Sequence, residues 1–127
     1  MHDNLSSVVA QLVMNEERAR VLHKHREFLH DAHDQPEKLE GATADQICAL
    51  LQLLCAIFKK ELWIPQDLKS ELEELPEAKK IKRQFQSPKL FEGILKRTVE
   101  EPDFGEKILN IVGKGAQLAL KAFKWLF

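Results

Sequence analysis

Tyrosine is absent from this sequence, and tryptophan and cysteine occur only twice each. So few large aromatic side chains argue against an aromatic-rich recognition surface. Five glycines, five prolines, 44% hydrophobic and 31% charged residues form the composition of a globular domain and not of a disordered segment. No apolar run approaches the roughly 18 residues that a membrane span requires. We expect one helical domain over residues 1 to 127.

The two cysteines are placed where they cannot pair with each other. Cys48 and Cys55 lie seven residues apart in a helical segment, a separation of about 10 Å that exceeds the reach of a disulfide. Unpaired cysteines in an apolar run behave as small hydrophobic residues and favour a reducing compartment. The first ten residues also lack the basic and apolar regions of a secretory signal. These features predict a cytoplasmic protein.

Signatures of catalysis and of cofactor binding are missing as well. Neither cysteine has a histidine nearby in sequence, and Ser87 is better explained as a helix cap than as a nucleophile. The segment 113–115 contains two glycines and a lysine, but it lacks the preceding strand and the Walker spacing of a phosphate loop. We predict a protein that is not an enzyme and holds no cofactor.

Four histidines lie within eleven residues near the end of the first predicted helix. Two of them share one helical face with two carboxylates, namely His23, Glu27, His30 and Asp34. The spacing of Glu27 and His30 occurs in the metal sites of helical bundles. A bundle site needs carboxylates from other helices, however, and the next helix has none between Asp45 and Glu61. We therefore favour surface histidines and predict no metal site.

Every strong periodic pattern in the chain is helical, and no segment alternates as a strand does. The sequence predicts an all-α fold, a compact bundle of five or six helices with a loop at 34–41. The predicted helices cover about 3–33, 44–62, 66–75, 77–86, 88–100 and 104–127. Helix 44–62 has a single polar residue, Gln52, between Ile47 and Phe58, which predicts burial on all sides at the centre of the bundle.

Capping residues set several of these boundaries. Thr43 with Gln46 forms a capping box, and Ser87 precedes Pro88 as an N-cap precedes the first helical position. The remaining prolines between 65 and 102 predict the starts of other helices. Asp103 with Glu106 predicts an acidic cap for the last helix. The glycines at 113 and 115 predict either a close helix contact or a hinge.

The C-terminal helix separates most sharply into an apolar side and a lysine side. On a helical wheel its apolar arc spans roughly 220°, about twice the stripe of an ordinary surface helix. Either the fold itself covers this arc, or a protein partner, a second copy of the chain or an anionic membrane does. The predicted contact residues are Lys114, Lys121, Phe123, Lys124, Trp125, Leu126 and Phe127.

A second basic region precedes this helix. Residues 76 to 97 contain seven basic and two acidic residues, hence a charge of +5, although the whole chain carries only −1. The candidate anion contacts are Lys79, Lys80, Lys82 and Arg83. A short basic helix can enter a nucleic-acid groove, but residues that read bases are sparse there, and Arg83 and Gln84 are the best candidates. Nucleic acid is thus the least favoured partner.

The sequence therefore predicts a non-enzymatic module for protein–protein interaction, an adaptor, inhibitor or regulatory subunit, acting through an amphipathic helical face. Self-association through the same face is included in this prediction. Two alternatives remain open. One is a membrane-docking or membrane-active domain that uses helix 104–127, and the other is a nucleic-acid-binding domain that uses residues 79–97.

Overall fold

The computed structural model describes residues 15–62 and 64–126, and all regular structure within these ranges is α-helical. The prediction of an all-α fold is confirmed, and these ranges contain eight helices where five or six were predicted. In chain order they are α1 (Glu16–Lys24), α2 (Arg26–Asp34), α3 (Glu37–Glu40), α4 (Ala44–Phe58), α5 (Gln66–Glu74), α6 (Pro76–Gln86), α7 (Pro88–Glu100) and α8 (Pro102–Leu126).

Two local features account for the additional helices. The first predicted helix is interrupted at His25, whose backbone leaves the helical region at φ −105° and ψ 21°. At this break the Arg26 guanidinium donates a hydrogen bond to the His23 carbonyl oxygen at 2.9 Å. The predicted loop 34–41 contains the single turn α3 after Pro36. The predicted start of the first helix near Asp3 lies outside the described residues.

Helix α4 begins and ends with well-formed caps. The Thr43 hydroxyl accepts a hydrogen bond from the Gln46 amide at 3.2 Å, and the Gln46 side chain accepts one from the Thr43 amide at 2.9 Å. The predicted capping box is thereby confirmed. The helix ends at Phe58, four residues before the predicted end. Beyond it, Lys60 adopts the left-handed conformation with φ 61°.

Helix α4 contributes ten buried residues out of fifteen to the core. It contacts α1, α2, α6, α7 and α8. Three aromatic rings pack at its C-terminal half, with centroids 5.9 Å apart for Phe58 and Phe85 and 5.1 Å apart for Phe85 and Phe91. Because the sequence of α4 is hydrophobic on nearly all sides, the helix has to be surrounded by other helices that bury it.

The prolines mark the helix starts as predicted. Pro76, Pro88 and Pro102 are the first residues of α6, α7 and α8, where a missing amide proton costs nothing. The Ser87 hydroxyl accepts a hydrogen bond from the Leu90 amide at 3.4 Å, as expected for an N-cap. The predicted cap at Asp103 is wrong, because α8 already begins at Pro102. Asp103 lies in its first turn, where a negative charge still suits the helix dipole.

The two glycines of α8 have different roles. Gly113 has φ 41° and ψ −118°, so the helix is kinked there and the helical register is not continuous across it. Gly115 lies against α5, and a Cβ atom at this position would be 3.6 Å from Leu72 Cδ1. The structure thus shows a kink at Gly113, whereas the contact at Gly115 is an ordinary one that leaves room for a Cβ atom, so the predicted close helix contact does not explain the glycine there. Helix α8 packs against α2, α4, α5, α6 and α7.

Candidate interaction surface on the C-terminal helix

The part of α8 after the kink has one side on the protein surface. Lys114, Lys121 and Trp125 are exposed and Leu118 is half-buried, and these four residues are spaced i, i+4, i+7 and i+11, which places them on one helical face. Lys124 is exposed beside them. We call this surface the basic face, defined by Lys114, Leu118, Lys121, Lys124 and Trp125. Its one large exposed apolar side chain is Trp125, at 53% exposure.

The opposite side of the same segment is buried in the core. The buried residues after the kink are Gly115, Ala116, Ala119, Leu120, Ala122, Phe123 and Leu126. Phe123 is 1% exposed, and its ring lies edge-on to His30 of α2 with centroids 6.3 Å apart. Because five helices surround α8, they cover most of the wide apolar arc.

Two of the predicted contact residues are therefore placed in the core. Phe123 and Leu126 are buried, so in this conformation their side chains do not reach a partner or a membrane. Phe127 lies outside the described residues. Lys114, Lys121, Lys124 and Trp125 are on the surface as a contact role requires. The prediction did not include Leu118, because its apolar side chain was grouped with the apolar arc, although its spacing of four residues from Lys114 and three from Lys121 places it on the basic face.

The basic face carries positive charge with little internal compensation. No acidic residue follows Glu106 in the sequence. Lys124 forms a salt bridge with Asp34 at 2.5 Å, and His33 Nδ1 lies 3.1 Å from the same carboxylate. The hydrogen bond from Lys124, followed by that from His33, lowers the pKa of the Asp34 carboxyl below its usual value. Among the described residues, neither Lys114 nor Lys121 forms a salt bridge.

The second basic region lies on α6. Lys79, Lys80 and Arg83 are exposed, whereas Lys82 is half-buried and turns toward α5. The opposite side of α6 is buried through Ala78, Ile81 and Phe85. No salt bridge joins these four cations to a carboxylate in the part of the chain that the structure describes, the acidic α5 included. Three of the predicted anion contacts thus share the outer side of α6.

The histidine-rich segment is divided between different environments. His23 lies on α1 and His30 on α2, so the break at His25 interrupts the single face that the sequence predicted. His30 contacts the Phe123 ring and His33 contacts Asp34. Within residues 15–62 and 64–126, no three histidine, cysteine or acidic side chains are grouped to hold a metal ion.

Comparisons with protein-family models, with curated proteins and with solved structures give no match for this chain. The described helices include none with the length and apolar character that crossing a bilayer requires. Any functional interpretation therefore depends on the surfaces described above.

Proposed function

We propose that this protein is a non-enzymatic helical interaction module that binds an acidic surface of a protein partner through the basic face of α8. The observation that carries the proposal is the exposure of Lys114, Lys121 and Trp125 on one side of a helix whose other side is buried. A helix fixed in this way binds without the cost of ordering its backbone, and only its exposed side chains lose conformational freedom. Tryptophan is enriched among residues that dominate interface energies, and the lysines provide steering and orientation.

A protein partner fits this surface better than a lipid surface does. A helix that lies in a membrane interface inserts its apolar face about 5 to 10 Å into the headgroup and acyl boundary. The apolar face of α8 is packed in the core through Leu120, Phe123 and Leu126. Only Leu118 and Trp125 supply apolar surface on the basic face, too little for a helix to insert. Membrane docking remains an alternative in which the lysines attract anionic headgroups while α8 stays in place.

The nucleic-acid alternative depends on a different helix. Lys79, Lys80 and Arg83 form a small cationic surface on α6, enough to contact phosphates, but Arg83 and the adjacent Gln84 are its best candidates for reading a base through two hydrogen bonds, and two such residues give little sequence specificity. It predicts an affinity that falls steeply with salt concentration, because each phosphate contact releases counterions.

Charge reversal on the basic face tests the proposal. We expect the wild-type chain to capture at least one protein from an extract of the cells in which this chain is expressed. The variant Lys114→Glu with Lys121→Glu should no longer bind that protein. The matched control is Lys89→Glu with Lys96→Glu, which reverses two exposed lysines of α7 and should leave capture unchanged. Thermal unfolding of both variants checks that the fold is retained.

The outcomes separate the three alternatives. Equal capture by wild type and both variants contradicts the proposal for the basic face. Sedimentation with anionic vesicles that is lost only in the α8 variant favours membrane docking. Duplex DNA or RNA binding that is lost with Lys79→Glu and Arg83→Glu, and retained in the α8 variant, favours nucleic acid. A concentration-dependent molar mass that the α8 variant lacks identifies a second copy as the partner.

A further inference from the structure

A cleft of about 420 Å³ lies between the C-terminal end of α4, the segment that follows it, α5 and α6. This volume lies within the roughly 300 to 1,000 Å³ typical of small-molecule sites. Its floor is formed by apolar side chains, Ile57 of α4 and Leu72 of α5 among them. Its polar rim includes three lysines, Lys60, Lys69 and Lys82, and one acidic residue, Glu73. The cleft is thus apolar inside and predominantly cationic at its edge.

The rim lysines have no carboxylate partner in the part of the chain that the structure describes. Lys69 and Lys82 are half-buried and Lys60 is exposed. Within the described ranges none of the three forms a salt bridge, with Glu73 or with any other carboxylate. An anion at the rim would therefore gain attraction from three cations without displacing a carboxylate of the described residues. The half-buried stems of Lys69 and Lys82 would also add apolar contact below their charged ends.

The backbone conformation of Lys60 is a second observation about the rim, because a lysine occupies a position where glycine would suit the helix end better. The Glu61 amide donates to the Ala56 carbonyl at 2.8 Å, and the Lys60 amide donates to the Ile57 carbonyl at 3.0 Å. This is the Schellman arrangement, in which the residue in the left-handed conformation is usually glycine. Lys60 occupies that position with φ 61°. A lysine there is unfavourable for the fold, but it places a cation at the rim of the cleft.

We infer that this cleft binds a free fatty acid of about twelve carbons or more, with its carboxylate among Lys60, Lys69 and Lys82 and its alkyl chain along the apolar floor. An apolar floor excludes small hydrophilic anions as the preferred ligand, and the cationic rim excludes amphiphiles with a positive head. A volume near the lower end of the range for ligand sites accommodates one alkyl chain and not a two-chain lipid. This site is separate from the basic face of α8.

Titration calorimetry with dodecanoate, below the concentration at which it forms micelles, tests the inference. We expect saturable binding of one dodecanoate per chain. Acetate carries the same head without the chain, and dodecyltrimethylammonium carries the same chain with the opposite charge. Neither should bind at the same concentrations. Absence of dodecanoate binding, or equal binding of dodecyltrimethylammonium, would overturn the inference.

Substitutions locate the site. Lys60→Gly with Lys69→Gln and Lys82→Gln should weaken dodecanoate binding about tenfold or more, since each partly exposed ion pair contributes a factor of about two to five. The control Lys89→Gln with Lys96→Gln and Lys107→Gln removes three exposed lysines elsewhere and should retain wild-type affinity. Equal weakening in both variants would contradict a site at this cleft.

Amide NMR spectra of the wild-type protein provide a test that does not depend on the variants folding. Dodecanoate should shift the amide signals of residues 57–73 and of Lys82 and its neighbours, and leave those of α2 and α3 unchanged. Shifts confined to α8, or spread evenly over the chain, would place the ligand elsewhere and overturn the assignment.

Discussion

The Arg18 guanidinium of α1 donates hydrogen bonds from Nη1 to both carboxylate oxygens of Glu61, at 2.5 and 2.6 Å, although 43 residues separate them. Arg18 Nε also donates to the Gln52 side chain at 2.9 Å. Arg18 is only 8% exposed. Gln52 is the single polar residue within the apolar stretch of α4, and this network explains its presence. The pair fixes α1 to the segment that follows α4.

Removing one partner of this network should destabilise the fold markedly. We expect Arg18→Met to lower the free energy of unfolding by about 3 kcal/mol, because it leaves the Glu61 carboxylate without its counterion. Combining Arg18→Met with Glu61→Leu removes both charges and should recover more than half of this loss. Urea unfolding of the single variants and the double variant measures the coupling. Losses that simply add would contradict a coupled pair.

The two glycines of α8 should respond to alanine with opposite signs. Gly113→Ala should destabilise the protein by about 1 to 3 kcal/mol, since φ 41° with ψ −118° is strained for any residue with a Cβ atom. Gly115→Ala should stabilise it by about 0.5 to 1 kcal/mol, because the added Cβ meets Leu72 Cδ1 at an ordinary 3.6 Å and helix propensity improves.

Urea unfolding midpoints measure both effects, and Gly115→Leu is the control for close packing against α5. That larger side chain should be destabilising where alanine is not. A loss of stability in Gly115→Ala similar to that in Gly113→Ala would show that the contact with α5 is tighter than the distance to Leu72 indicates.

Helix boundaries that are set by neighbouring residues could be predicted from the sequence. The capping box at Thr43 and the Ser87-Pro88 cap act within four residues, so their effect does not depend on the rest of the fold. The break at His25 has no comparable local signal, and Pro36, which precedes the single turn α3, was interpreted as part of a loop. Gly113 was recognised as an irregular position, but only the backbone conformation shows that the register changes there.

The candidate surface was harder to predict, because burial depends on distant helices. Whether Phe123 contacts a partner or the core is decided by α2, which places His30 against its ring. Nothing near Phe123 in sequence contains that information. The cleft was missed for the same reason, since Lys60, Lys69 and Lys82 come together only when α4, α5 and α6 pack.

The helix end at Lys60 provides a stability test that complements the ligand experiment. Lys60→Gly should raise the free energy of unfolding by about 0.5 to 1 kcal/mol, because glycine adopts the left-handed conformation without the steric cost that lysine incurs. Thermal or urea unfolding without ligand measures this. Lys59→Gly is the control and should be destabilising or neutral, since Lys59 has an ordinary φ of −86°. Lower stability in Lys60→Gly would contradict the assigned strain.

The cysteine thiols should react slowly in the folded protein. Burial, together with the nearby Asp45 charge, raises the pKa of Cys48 from 9.0 to about 11. The thiolate fraction near neutral pH then falls about a hundredfold, while the remaining thiolate is more nucleophilic, so the net slowing is about tenfold. Cys55 is fully buried, and its Sγ donates to the Phe85 carbonyl oxygen at 3.3 Å. It should react only on unfolding.

Reaction with a chromogenic disulfide reagent, in buffer and in denaturant, measures both rates, with Cys55→Ala isolating Cys48. A rate for Cys48 in the folded protein equal to that in denaturant would contradict the raised pKa. Rapid reaction of Cys55 in the folded Cys48→Ser variant would show that the helices packed around Cys55 separate frequently enough to expose its thiol.

The salt bridge between Lys124 and Asp34 predicts a specific pH dependence. Because Lys124 and His33 hold the pKa of Asp34 below its usual 3.8, Lys124→Gln should raise that pKa toward the usual value in an NMR titration. A carboxyl with a lowered pKa in the folded state stabilises the fold above its unfolded pKa, and this stabilisation is lost as pH falls through the folded pKa.

The difference in stability between wild type and Lys124→Gln should therefore be present at neutral pH. It should shrink below about pH 4, as Asp34 becomes protonated. Lys121→Gln removes a lysine three residues earlier on the basic face that does not touch Asp34, so it should leave the pKa of Asp34 unchanged. An Asp34 titration that is identical in wild type and Lys124→Gln would mean that the lysine and the carboxylate are not paired in solution, and Lys124 would then be as available to an acidic partner as Lys121.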